Sequence, residues 1–349
     1  MRHTIKAGAA LAASATLAAS LAGCGTTSQA TKGGGKADVG TAGVILPFLT
    51  SPFWQAYNGN IKTKAKEVGV QTLPTVNSNN DPAQQITDMN NLLNQNVKSL
   101  VVAPIDSAAI AAGIKQANRK GVPVVAVDVA PEKGKVAMVV RADNIAYGQK
   151  ACRQMGKRVK SGKVVQIQGD LASVNGRDRS KAFSSCMAKN FPKIKVINLP
   201  AGWQSDKAAS MLNDTVSSNK DIKGIYSQAG GVYLAPTLST LKRTGLLKKA
   251  GQPGHVVIVS NDGIPQEYKA IRQGYVDATV SQPADSYAKW GLWYAKRAME
   301  GKTFKPGKTD HGSTIVKLPN GNLEDQLPAP VVTKKNVDDP NLWGNKLGH

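Results

Sequence analysis

Two carboxylates (Asp128 and Asp262), one guanidinium (Arg179) and one amide (Gln282) each stand at or just beyond the end of a β-branched apolar run, or on the segment that follows it. Three aromatic residues, Phe53, Trp54 and Trp203, hold equivalent places, and Ser51 adds a hydroxyl two residues ahead of Phe53. Carboxylates accept hydrogen bonds, guanidinium donates them and an amide does both, so the polar set can fix hydroxyl groups in two directions at once. Bonds to its charged members carry roughly 1.5–3 kcal/mol each. Flat aromatic faces lie well against the C–H face of a ring. Each residue also has a plainer use: Asp128 and Asp262 suit helix caps, Asp262-Gly263 is a turn pair, and the aromatic residues suit packing.

Covalent catalysis finds little support. There is no Gly-x-Ser-x-Gly elbow, no Gly-x-Gly-x-x-Gly after the first apolar run and no Walker loop. Of the four histidines, His3 falls in the leader, His311 in a loop and His349 at the end, while His255 precedes a strand, so none is placed as a general base. Two carboxylates might suggest glycoside cleavage, but that needs an acid and a nucleophile flanking one bond. No metal ligand spacing and no cofactor motif is present.

The elements that must position these residues alternate along the chain. Apolar runs at 44–48, 97–103, 122–128, 164–168, 196–199, 222–227, 256–260 and 276–280 read as strands covered on both faces. Helical patterns at 53–68, 82–94, 107–120, 145–160, 177–190, 206–218, 232–247, 265–273 and 285–300 separate them. Ser51-Pro52 and Asp81-Pro82 place a capping side chain before a proline at the first turn. Such alternation predicts α/β architecture with doubly wound parallel sheets, and the number of elements calls for two lobes. Ligands of open α/β sheets bind beyond the carboxyl ends of the strands, where the polar and aromatic set falls. The chemistry there is that of carbohydrate recognition.

The chain starts with Met1-Arg2-His3-Thr4-Ile5-Lys6 and an Ala-rich apolar run that ends at Leu21-Ala22-Gly23-Cys24. The run is too short to span a bilayer and reads as a signal peptide over 1–23, with a lipoprotein-type cut before Cys24. A thiol at the new terminus takes a diacylglyceryl thioether and anchors the protein to the cell membrane from outside the cytoplasm. Residues 24–38 are a polar, glycine-rich tether. The formal charge of +22 is scattered over helix faces without interleaved aromatics, which argues against nucleic acid. Cys152 and Cys186 lie on predicted helices of the same half, outside the reducing cytosol; a disulfide suits them, with two buried thiols as the alternative.

Several motifs in order carry a family resemblance: Ser51-Pro52-Phe53-Trp54, Ala103-Pro104-Ile105-Asp106-Ser107, Val122-Pro123-Val124-Val125-Ala126-Val127-Asp128, Ala142-Asp143-Asn144, Gln168-Gly169, Arg177-Asp178-Arg179, Asn261-Asp262-Gly263 and Thr279-Val280-Ser281-Gln282. Over about 41–318 the chain resembles periplasmic sugar-binding proteins of the ribose-binding type, the solute-binding components of ABC importers. The resemblance implies a type I periplasmic binding fold, with two lobes joined by a three-segment hinge. The crossings would lie near Asp143, near Gln282 and before Thr314, giving an N-terminal lobe of 39–142 plus 283–312 and a C-terminal lobe of 143–282 plus 313–349. It implies that Phe53, Trp54 and Trp203 sandwich a ring whose hydroxyls bond to Asp128, Arg179, Asp262 and Gln282. Arg177 would support Arg179 or face solvent, and Asp143 and Asn144 would serve a hinge or a helix start.

Where ribose-binding relatives have hydrogen-bonding residues, this chain has Ser51 for an asparagine, Val129 for an arginine, Ala229 for an asparagine and Pro47 for a serine. The expected ligand is therefore a sugar or polyol other than ribose, or a related non-sugar. The expected partners are an ABC transporter permease and the membrane through Cys24, with the protein a monomer; presenting the ligand to a sensory receptor is the alternative. The tail at 327–347 is expected to fold back on the C-terminal lobe.

Overall fold

The computed structural model describes residues 40–348. The expected signal segment, the lipidation site Cys24 and the tether at 24–38 lie outside the described residues. The chain opens with β1 (Thr41–Leu46), α1 (Pro52–Val68), β2 (Gln71–Thr72), β3 (Val76–Asn77), α2 (Pro82–Asn94), β4 (Ser99–Val102), α3 (Ala111–Arg119), β5 (Val124–Val127) and β6 (Met138–Arg141). It continues through α4 (Asn144–Arg158), β7 (Gly162–Gln168), α5 (Val174–Asn190), β8 (Ile194–Pro200), α6 (Ser205–Ser218), β9 (Ile222–Ser227), α7 (Gly230–Arg243), β10 (Val257–Asp262), α8 (Pro265–Gln273) and β11 (Ala278–Ser281). Next come α9 (Ala284–Met299), β12 (Gly307–Lys308), β13 (Thr314–Lys317), β14 (Leu323–Gln326), β15 (Val331–Val332) and a closing 3-10 turn, Trp343–Gly348.

These elements form two sheets. One has the order β12-β13-β14-β6-β5-β4-β1-β2, with β3 also on β1; the other runs β15-β11-β10-β9-β7-β8. Pairing is parallel except at β12, β13 and β15. The central strands β4, β5, β6 and β11 are buried at every residue because helices cover both faces. In the first lobe, Phe53, Tyr57 and Ile61 of α1 and Tyr287, Leu292 and Ala295 of α9 pack on one face, while Met89, Leu92 and Ile114 cover the other. The second lobe is built the same way, with Leu212, Leu241 and Ile271 on one face and Met155, Phe183 and Met187 on the other. Helix starts follow the sequence signals: the Ser51 hydroxyl accepts the Phe53 N–H, and the Asp81 carboxylate accepts those of Ala83 and Gln84.

Two expectations are corrected. Strand β6 was not expected, and the third boundary is misplaced. Residues 313–326 belong to the first lobe, because β13 and β14 form a hairpin whose second strand pairs in parallel with β6, Glu324 opposite Val139. The chain therefore leaves the first lobe after Gln326, not before Thr314, and joins the second at β15. The other crossings follow β6 and β11. The tail does lie on the second lobe, where Arg272 bonds to Asp338, Asn345 and the Val337 carbonyl.

Helices α4 and α5 lie so close that a Cβ on Gly148 would sit 2.6 Å from the Arg179 carbonyl oxygen. A Cys152–Cys186 disulfide joins them across a sequence separation of 34. A loop of that length constrains the unfolded chain, so reduction is expected to remove about 2–4 kcal/mol of stability. Thermal melting with and without a reductant checks this; an unchanged midpoint with both thiols shown free would contradict it.

Candidate ligand-binding site

The carboxyl ends of both sheets open onto one cleft that is lined from both lobes. Ser51, Phe53, Trp54 and Asp128 line it from the first lobe, Arg179, Trp203 and Asp262 from the second, and Gln282 from the second crossing. The structure thus brings all eight sequence-derived site residues to one cavity.

Backbone geometry explains how short turns aim them inward. Asp128, Trp203 and Asp262 adopt positive φ angles of 65°, 59° and 110°, and so does Asn80, which also lines the cavity, at 61°. Left-handed backbone in a non-glycine residue costs of order 1–3 kcal/mol and persists only where its surroundings hold it. Those surroundings are present. The Asp128 N–H donates to the Val140 carbonyl at 2.9 Å, and the Asp262 carbonyl accepts both the Gln282 N–H at 2.8 Å and the Trp343 indole N–H at 3.1 Å. The Trp203 N–H donates to the Tyr233 hydroxyl at 2.8 Å, which itself donates to the Gln168 carbonyl. The Trp203 ring lies directly over Gly169, where a Cβ would come within 1.9 Å of it, so only glycine admits the indole.

A chain of hydrogen bonds joins the lobes. Arg179 donates from Nη2 to Gln282 Oε1 at 2.7 Å, and Gln282 Nε2 donates to Asp128 Oδ1 at 3.0 Å. The remaining directed bonds of Arg179 go from Nε to Asn144 Oδ1 at 2.6 Å and from Nη1 to the Gln228 carbonyl at 2.7 Å. Asp262 Oδ2 accepts the Gly231 N–H at 2.8 Å. Burial pushes the Asp128 carboxyl up to about 6, against the opposing fields of Arg179 and Arg141. Burial also pushes Asp262 upward, with the Asp128 charge adding to the shift and Arg179 opposing it, and burial pushes the neighbouring Glu267 upward, with the Asp262 charge adding.

Phe53 meets Trp54, Tyr287 and Trp343 edge to face, so its ring is at once cavity wall and core. Pro47, Val129 and Ala229, the apolar replacements, all face the cavity, as do Phe48, Pro104, Ile105 and Val232. Arg177 does not support Arg179; its side chain is on the solvent side, as the alternative had it. It pairs with Glu132 of the other lobe and donates to the Leu171 carbonyl, because two residues along a helix turn it to a different face. Asp143 caps α4 through the Ala146 N–H.

Sequence reasoning missed Asn175, whose amide donates to the Asp128 carbonyl at 3.0 Å and whose oxygen accepts from Arg141. No signal in its own neighbourhood marks it, since both partners come from the other lobe. Among the described residues no group of three or more His, Cys, Asp or Glu could hold a metal ion, and no helix is long and apolar enough to cross a membrane.

Comparison with known proteins gives one consistent answer. A family model described as a periplasmic binding protein domain matches residues 42–303. The ribose import binding protein RbsB of Salmonella typhimurium is 25% identical over 264 residues, covering 75% of this chain and 86% of that protein. The xylitol-binding protein of Mycolicibacterium smegmatis is 28% identical over 341 residues, 97% of this chain and 88% of its own length. Among solved structures, the Caulobacter myo-inositol binding protein bound to myo-inositol shares the fold at a TM-score of 0.75 and 22% identity, over 88% of this chain and 98% of that one.

Proposed function

The chain belongs to the periplasmic binding protein family, and from that premise we propose that it captures one sugar or polyol between its lobes and hands it to the permease of an ABC transporter. The family is one of solute-binding transport proteins rather than enzymes, and it works outside the cytoplasm. The observation that carries the reading is the Arg179–Gln282–Asp128 bridge, which sets hydroxyl-binding groups of both lobes around a single small cavity. Only a closed cleft offers both sets of contacts, so a ligand touching both lobes favours closure, and the permease reads the closed form. Relatives named for ribose and xylitol support a monosaccharide or short polyol as cargo. The apolar wall at Pro47, Val129 and Ala229 favours one with fewer hydroxyls than ribose-binding sites satisfy. The protein acts as a monomer held to the membrane by a lipid on Cys24; replacing Cys24 with alanine should release it from the membrane fraction.

Thermal melting against pentoses, hexoses, deoxy sugars and polyols tests the binding claim. Ligand at about 100 times its dissociation constant adds about 2.7 kcal/mol and raises the midpoint by a few degrees. A rise confined to one chemical class is expected; a well-folded protein that no member shifts would count against the sugar and polyol reading.

Affinity should depend on pH in a direct way. A ligand hydroxyl donating to Asp128 favours its ionised form, so binding lowers a carboxyl held at about 6 and releases a proton. Binding is therefore expected to weaken as pH falls through about 6, by up to about tenfold per unit for each carboxylate involved. Titrations between pH 8 and pH 5 check this, and an affinity flat across that range would contradict it.

A further inference from the structure

Among the described residues the ionisable groups on the cavity wall are Asp128, Asp262 and Arg179, two acids against one base. The carboxylates are 8% and 3% exposed, and among the described residues neither lies within 4 Å of a cationic nitrogen. Arg179 does not neutralise them by contact, since its bonded N–H groups go to Asn144, the Gln228 carbonyl and Gln282, all of them uncharged. Each carboxylate has one oxygen engaged, Asp128 Oδ1 by Gln282 and Asp262 Oδ2 by Gly231. Among the described residues no directed hydrogen bond reaches Asp128 Oδ2 or Asp262 Oδ1, although the Asn175 amide lies close enough to favour the Asp128 charge.

The charge behind the wall puts no cation in contact with either carboxylate, although the Arg141 field reaches Asp128. Glu267, behind Asp262, is fully buried and is held by the N–H groups of Gly263 and Ile264 and the Thr279 hydroxyl, again without a cation. Arg141, on the Asp128 side, is paired with buried Glu324. A buried carboxylate without a counter-charge is costly, and a ligand hydroxyl brings a hydrogen bond but no charge. An ammonium group brings three donors and one positive charge, matching two carboxylates that have no cation in contact.

We propose that the occupant of this cavity is an amino sugar or amino polyol whose ammonium pairs with Asp262 and Asp128 while Arg179 and Gln282 hold its hydroxyls. This rests on the reading of the cavity as a sugar or polyol site and narrows its cargo. The test is calorimetric titration of the protein at pH 7.5 with matched pairs: D-glucose and D-glucosamine, D-galactose and D-galactosamine, D-sorbitol and 1-amino-1-deoxy-D-sorbitol, xylitol and 1-amino-1-deoxyxylitol. At least one amine should bind ten times or more tightly than its neutral partner. Asp262→Asn or Asp128→Asn should erase most of that preference. Neutral members binding as tightly as their amines throughout would overturn the inference and leave the sugar and polyol reading standing. An absence of binding by every compound would overturn both. The comparison within wild-type protein decides the matter even if neither variant folds.

Discussion

Replacing Arg179 with alanine is expected to weaken ligand binding by about a hundredfold or more while the secondary structure stays intact. Three effects add. The change removes a cation of the cavity wall, it breaks the link through Gln282 to Asp128 that joins the lobes, and it takes away the Arg179 donors that Asn144 Oδ1 and the Gln228 carbonyl accept from. Losing a buried charged hydrogen-bonding partner costs about 2–5 kcal/mol, and each 1.4 kcal/mol is a factor of ten in affinity. Arg179→Lys should recover only part of the loss, since lysine restores the charge but not the planar fork that reaches three acceptors at once. Asp262→Ala should weaken binding by at least about tenfold, because it deletes a carboxylate that lines the cavity. Calorimetry with the compound that raises the melting midpoint most, alongside circular dichroism, gives the answer. Wild-type affinity in both alanine variants would remove these residues from the site.

The second large effect concerns stability rather than contact with ligand. Arg141 ends β6 at the first crossing, and its Nε lies 2.5 Å from Glu324 Oε2, with both side chains buried. The same guanidinium donates to Asn175, which holds the Asp128 carbonyl. Glu324→Ala strands a buried positive charge, a change worth about 3–5 kcal/mol. The melting midpoint should fall by roughly 5–15 °C. Affinity should also drop, because the Asn175 and Asp128 positions depend on that pair. Removing both partners, as in Glu324→Leu with Arg141→Met, should restore part of the midpoint, since the uncompensated charge is then gone. A midpoint unchanged in Glu324→Ala would show that the pair does not hold the crossing.

That pair also explains where the sequence was hard to read. Strand β14 carries Glu324 and Asp325 inward, buried against Arg141 and against His311, Ser313 and Tyr294, so the apolar signature of a core strand is missing. The hairpin that completes the first sheet was therefore assigned to the wrong lobe. Strand β6 was hidden for a related reason: its short apolar run is flanked by Lys133 and Lys135 on one side and ends in Arg141. The helices were legible because proline and a capping side chain mark several starts and their apolar faces recur with helical spacing.

The cavity was legible for a topological reason. In a parallel sheet the strand ends gather at one edge, so Asp128, Trp203 and Asp262 could be placed together without knowing a single contact. The contacts themselves were not legible. Gln282 meets Asp128 across 154 positions, and Arg177 meets Glu132 across 45, each between lobes whose approach no local pattern encodes. Likewise the left-handed backbone at Trp203 leaves no trace in residue type, since Trp is among the last residues expected there, whereas Asp128 and Asp262 are of a type that tolerates it.

The central claim, that this cavity holds one sugar or polyol, is tested most directly by native mass spectrometry of the protein mixed with a pool of xylitol, D-ribose, D-allose, myo-inositol, D-glucosamine and 1-amino-1-deoxy-D-sorbitol. The expected spectrum shows a complex of one protein with one pool member, identified by its mass, that disappears in Asp262→Ala. No adduct with wild-type protein, or the same adduct undiminished in the variant, would contradict the account.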